Sequence, residues 1–164
     1  MDLDPASRTS AALTRILLKR VYGLEPEYRE TPDGPADARL IIGDPAMKTR
    51  LNGHVVLDLA SEWRAFSGHP FVFAFWAVRG DHATAEVAAL LRRSYEAGVA
   101  AFDAMVREEA AASGLSAPVV EDYLRHALHF ELDTGDLEGL RLFYRLAAEE
   151  GLIPSARALE FTPA

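Results

Sequence analysis

The chain contains no cysteine. That absence excludes a disulfide framework, cysteine-ligated zinc and a thiolate nucleophile. Also absent is any run approaching the roughly 18 apolar residues of a membrane-spanning helix. The opening residues Met1-Asp2-Leu3-Asp4-Pro5 carry neither the basic stretch nor the apolar stretch of a secretory leader. The expectation is a cytoplasmic protein, neither secreted nor embedded in a membrane. Positive charge is scarce, with 17 Lys and Arg against 25 Asp and Glu and a net charge of −8. Such a balance repels nucleic-acid phosphates and anionic lipid, so neither nucleic acid nor membrane is expected as a partner. The dense basic spots, Lys19-Arg20 and Arg92-Arg93, read as solvated helix faces. The sequence has no G-x-S-x-G, P-loop, G-x-G-x-x-G or zinc-protease helix. Support is therefore withdrawn from serine hydrolases, nucleoside triphosphatases and dinucleotide enzymes.

What is present is a globular composition: 164 residues, 49% hydrophobic and 26% charged, enough for a domain with a core. Leu13, Ile16, Leu17 and Val21 recur at helical spacing before Gly23, predicting a helix from about Thr9 to Tyr22 with its cap in "SRTS". "EPEYRETPDGPADA" predicts a short edge strand at 27–30 and then turns. "ARLIIGD", "HVVLDLA" and "PFVFAFWAVRG" predict strands, the last buried on both faces. "PAMKTRL" predicts a short helix or turn, and "SEWRAFSG" a helical turn opened by Ser61. A long helix is expected from about Thr84 to Ser113, stopped by Gly114, and another is expected to be capped by Ser116 with Pro118 in its first turn. A final helix is expected from about Gly135 to Glu150 with Leu137, Leu140, Tyr144 and Ala147 on its inward face. This order predicts an α/β lobe over 1–113 and a C-terminal helical segment over 114–164 that packs back on it.

Three stretches bear on chemistry. Unpaired N–H groups and the macrodipole at the start of the first helix attract a carboxylate or phosphate, and Ser7, Thr9 and Ser10 add hydroxyls while Arg8 adds a charge. The plainer alternative is one capping hydroxyl with the others exposed. Gly43 and Asp44 fall at the expected carboxyl end of a strand, where open α/β sheets bind ligands, or else form an ordinary turn before Pro45. "SEWRAFSGHPFVFAFWAVR" holds both tryptophans and a dense run of phenylalanines. Phe71, Phe73 and Phe75 read as core or sheet-face packing, and Trp76 as the better candidate for a pocket wall. His126 and His129 stand three apart near Glu131 without a clear third ligand, so no metal is expected. No residue is singled out as catalytic.

In this order, "SRTSAALTRILL", "ARLIIGDPAM", "DLASEWRAFSGHPFVFAFWAVR" and "YLRHALHFELDTGDLEGLRLFYRLAAEEGLI" resemble the menaquinone biosynthesis family of the futalosine pathway, which includes chorismate dehydratase. The resemblance runs from about Leu3 to Ile153, and its Trp-rich third segment is the most specific. It implies a two-lobed fold similar to type II periplasmic solute-binding proteins, here the second lobe plus C-terminal helices of the first. It also implies a cytoplasmic enzyme without cofactor that removes water from chorismate. Carried over by segment, Ser7, Arg8, Thr9 and Ser10 would grip a substrate carboxylate, Gly43 and Asp44 would line the cleft, and Trp76 would lie near the ring. A carboxylate-binding protein without chemistry and the sister dihydroxynaphthoate synthase stand as alternatives. Family members carry a further N-terminal segment with a "SYLN" type motif that nothing here matches. The expectation is a truncated chain with an uncovered apolar surface, prone to form a homodimer or to aggregate.

Overall fold

The computed structural model describes residues 1–31 and 34–161. Among them the helices are α1 (Arg8–Tyr22), α2 (Gly43–Lys48), α3 (Leu59–Ser67), α4 (Ala85–Ala100), α5 (Phe102–Ser113), α6 (Ala117–Asp122) and α7 (Thr134–Glu149). A 3-10 turn lies at Gly80–His82 and a π-helical turn at Tyr123–Ala127. The chain forms two compact units, Met1–Phe75 with Leu132–Ala158, and Trp76–Glu131 with the stretch from Leu159 onward.

In the first unit α1 starts where the Ser7 hydroxyl accepts the Ser10 N–H, and it ends at Gly23, whose φ of 65° suits a left-handed cap. The N–H groups of Gly23 and Leu24 then reach back to the carbonyls of Lys19 and Leu18. The apolar stripe of Leu13, Ile16 and Leu17 is buried against Trp63 of α3 and against Phe143, Leu146 and Ala147 of α7. α3 begins two residues ahead of Ser61, capped by Asp58, whose carboxylate accepts the Ser61 N–H at 2.8 Å. That start places Trp63 inward and 0% exposed. Its indole N–H donates to the Pro70 carbonyl at 3.1 Å, and the rings of Phe71 and Phe143 meet it edge-on at 5.4 and 6.3 Å. α7 opens on a capping box between Asp133 and Asp136 and passes Gly139 against Pro70 so closely that a Cβ there would collide with the Pro70 carbonyl oxygen. At their far ends α1 and α7 are tied by Lys19 and Arg20, both paired with Glu150. These cations, Lys19 first by hydrogen bond, outweigh the desolvation of Glu150 and hold its carboxyl below the usual range.

Residues 1–3 run parallel between the chain at Arg29 and the chain at Arg39, bonded to both. The buried Asp2 carboxylate accepts from Arg29 Nε at 2.7 Å and from Arg39 Nη2 at 3.2 Å. Burial alone would raise its pKa, but the hydrogen bonds and charges of Arg29 and then Arg39 more than offset this and lower it.

These two isolated bridges are all the pairing found among the described residues, so the expected α/β sheet is not formed there. Apart from the bridge at Arg29, 27–30 forms no ladder, and "ARLIIGD" likewise contributes only the bridge at Arg39 before Gly43 enters α2. "HVVLDLA" carries no ladder, with Val55 91% exposed, and its last two residues already belong to α3. "PFVFAFWAVRG" has no ladder either, and Phe73, Phe75 and Trp76 are exposed, which overturns its expected burial on both faces. The physical reason is that apolar, β-branched runs bias the local backbone, whereas a strand needs a neighbour supplying the other half of each hydrogen bond.

In the second unit the expected long helix over 84–113 is two helices, α4 and α5, broken at Ala101 (φ −97°, ψ 13°) and closed by Gly114 in the left-handed region. Ser116 sits at the start of α6 but makes no side-chain cap, and Pro118 occupies its first turn. Val106 of α5 and Val120 of α6 are buried, while α4 buries none of its residues. Arg125 lies 4.0 Å from the centre of the Phe102 ring and pairs with Glu121.

Candidate functional site

The first unit contains a cavity of about 380 Å³, toward the lower end of the roughly 300–1,000 Å³ common for small-molecule sites. α1 brings Arg8 and Thr9 to its lining at its first turn, in which Ser10 is turned inward and buried. Phe73 and Phe75 supply one aromatic wall, and Phe143 and Tyr144 of α7 another. The lining is thus mostly ring and hydrocarbon, with a single cationic side chain.

Arg20, Arg29 and Arg39 are each paired with a carboxylate. Arg8, Arg50, Arg64, Arg141, Arg145 and Arg157 of the first unit have no ion pair among the described residues, and of these Arg8 is the one on the cavity. The first turn of α1 contains no acidic residue, so nothing there neutralises the partial positive charge of the helix start. The N–H groups of Arg8 and Thr9 make no hydrogen bond among the described residues, since Ser7 serves Ser10 and its carbonyl serves Ala11. A flat apolar body with a carboxylate at one edge matches such a lining: the rings take the body, and Arg8 with the helix start takes the charge.

The residues expected from sequence are distributed as follows. Arg8 and Thr9 lie together on the cavity. Ser7 and Ser10 are occupied with each other, Ser7 Oγ donating to Ser10 Oγ at 2.9 Å while accepting the Ser10 N–H. Gly43, with φ of 61°, is the exposed first residue of α2, and Asp44 pairs with Lys48 one turn on at 3.1 Å. Trp76 is the first residue of the second unit and is 61% exposed. His126 Nδ1 lies 3.1 Å from Asp122 Oδ1. Sequence reasoning did not propose Phe143 or Tyr144 as site residues; it assigned the face carrying Tyr144 to the core. The available signal was the phenolic oxygen itself, a polar atom on a face otherwise read as apolar.

The model of the menaquinone biosynthesis family matches residues 2–149. The chain belongs to that family. Among curated proteins it is similar to a chorismate dehydratase from Thermus thermophilus, with 29% identity over 164 aligned positions covering 86% of this chain. The chain spans about 60% of the length of that relative. No helix among the described residues is long and apolar enough to cross a membrane. The cavity beside Arg8 is the candidate site.

Proposed function

We propose that this chain is a chorismate dehydratase of the futalosine route to menaquinone, acting in the cytoplasm without a cofactor, with the cavity beside Arg8 holding a substrate carboxylate. The observation that carries the reading is Arg8: a guanidinium without an acidic partner among the described residues, at the positive end of α1, on a cavity otherwise walled mostly by rings and hydrocarbon. The family match and the similarity to a chorismate dehydratase support the same substrate. The reading includes a two-lobed architecture like that of solute-binding proteins; the return of α7 onto α1 within the first unit is consistent with it.

Loss of water from chorismate leaves an aromatic enolpyruvyl-oxybenzoate, so the ring itself supplies much of the driving force. The protein's task is to hold the ring in one orientation and keep it from bulk water. Arg8 and the first N–H groups of α1 do the former through the carboxylate, and Phe73, Phe75 and Phe143 do the latter. The test is to incubate the chain with chorismate and follow the rise of aromatic absorbance while measuring affinity by calorimetry. Saturable turnover is expected, with Arg8→Met weakening chorismate binding about tenfold or more, the usual consequence of losing a charge-assisted hydrogen bond. Saturable binding without turnover would identify a carboxylate-binding protein instead. Affinity indifferent to Arg8→Met would remove the anchor on which the reading stands.

A further inference from the structure

Among the tyrosines Tyr22 has a partner for its hydroxyl, donating to Glu62 at 2.6 Å, whereas Tyr28 and Tyr123 have none among the described residues. Tyr144 shares that lack but is placed on the cavity. It is half-buried on α7, lines the cavity of the first unit, and its hydroxyl makes no hydrogen bond among the described residues. A phenolic hydroxyl on a cavity wall without a protein partner is a donor and acceptor served by solvent until a ligand displaces it.

The ring is also held. It packs against Phe143 at 5.8 Å between centres, and Phe143 is itself fixed edge-on against Trp63 and Phe71 in the core. Groups on a rigid helix discriminate between ligands better than groups on a loose loop. Thr9 offers the other unengaged hydroxyl on this cavity, but it adjoins Arg8 at the start of α1 and so belongs with the carboxylate. Tyr144 comes from a different helix and is left to address a different part of the ligand.

We propose that Tyr144 is a specificity-determining residue that reads an oxygen substituent on the ligand's ring, its phenolic hydroxyl bonding a ring hydroxyl while Arg8 holds the carboxylate. This rests on the carboxylate-site reading above and extends it from charge to substituent pattern. The class of ligand selected is a cyclic carboxylate bearing a hydroxyl, in preference to the same ring without one. Such a site disfavours the plain analogue because the phenol is then left unpaired in a partly desolvated place.

The probes are benzoate and 3-hydroxybenzoate, which share ring and carboxylate and differ by one hydroxyl. Their affinities are measured by calorimetry on the full chain, its Tyr144→Phe variant and its Arg8→Met variant, with thermal melts confirming that each variant folds. The expected result is a preference for 3-hydroxybenzoate of about fivefold in the native chain, the value of one ordinary hydrogen bond. Tyr144→Phe should bring that ratio to about one while leaving benzoate affinity unchanged, and Arg8→Met should weaken both probes by the same factor. A preference that is absent in the native chain, or that survives Tyr144→Phe, overturns the role of Tyr144 and leaves the carboxylate site standing. Binding of both probes that ignores Arg8→Met, or no binding of either, overturns the carboxylate site and the role of Tyr144 with it.

Discussion

In the first unit Leu13, Ile16 and Leu17 of α1 repeat at helical spacing and are buried together with Trp63, Phe143 and Leu146. In the second, Val87, Leu91 and Tyr95 of α4 repeat at helical spacing but are only partly buried, and Leu90 and Val99 off that face are each more than half exposed. The two helices differ little in how their apolar residues are spaced. They differ in what faces them: α3 and α7 present Trp63 and Phe143 to α1, while the second unit buries little beyond Val106 and Val120. Periodicity marks the face that is able to be buried, and a shaped partner decides whether it is.

The contrast breaks or sharpens most directly at its centre. Trp63→Ala should cost about 3–5 kcal/mol of stability, since it removes the largest fully buried side chain and leaves a cavity. Val106→Ala, in the second unit, should cost about 1.5 kcal/mol for its two lost methyl groups. Urea melts of the two variants check this, and equal losses would erase the distinction. Next comes close packing within the first unit. Gly139→Ala should destabilise by about 1–3 kcal/mol because its Cβ meets the Pro70 carbonyl oxygen and comes within 3.1 Å of His69 Cβ. Gly135→Ala on the same helix presses its Cβ on the Asp133 oxygen at 3.2 Å that caps α7, a cost partly offset by helix propensity, so its melt should move by about 1 kcal/mol, less than that of Gly139→Ala.

The smallest effect, confined to residues 1–3 and their neighbours, concerns acid. The Asp2 pKa is lowered in the folded state, so its stabilisation is fully present above the unfolded value of about 3.9 and is lost as pH falls through the lower folded value. The urea midpoint should therefore drop between pH 5 and the acid limit, and Asp2→Asn should be less stable at pH 5 but flatter across that range. A variant with the same acid slope as the native chain would assign the slope to other carboxylates.

Much of the helical framework was readable in advance, because helices are written locally. The Ser7 cap and Gly23 stop delimit α1 almost where the apolar stripe does, and the exit of α7 follows from its own residues. The break at Ala101 was not readable: "GVAAFDAM" contains no proline, and both halves continue one apolar stripe. Strands were overcalled for the complementary reason, since "HVVLD" and "PFVFAFW" have strand chemistry but pairing depends on residues far away in sequence. At the site, Arg8 and Thr9 were legible as a charged and hydroxylated helix start. Trp76 and Tyr144 exchanged expectations: the tryptophan expected as a pocket wall is 61% exposed at the start of the second unit, and the tyrosine grouped with the inward face lines the cavity. One polar atom on an apolar face decides such a case, and periodicity does not register it.

The packing of α1 on α7 carries a consequence for how the chain is made. Tyr22 closes the first helix and Thr134 opens the last, so more than a hundred residues separate the two faces that bury one another. At ordinary translation rates the ribosome needs on the order of ten seconds to cross that interval. Throughout it the stripe of Leu13, Ile16 and Leu17 has no Phe143 or Leu146 to cover it. The core of the first unit therefore closes only after α7 has been made.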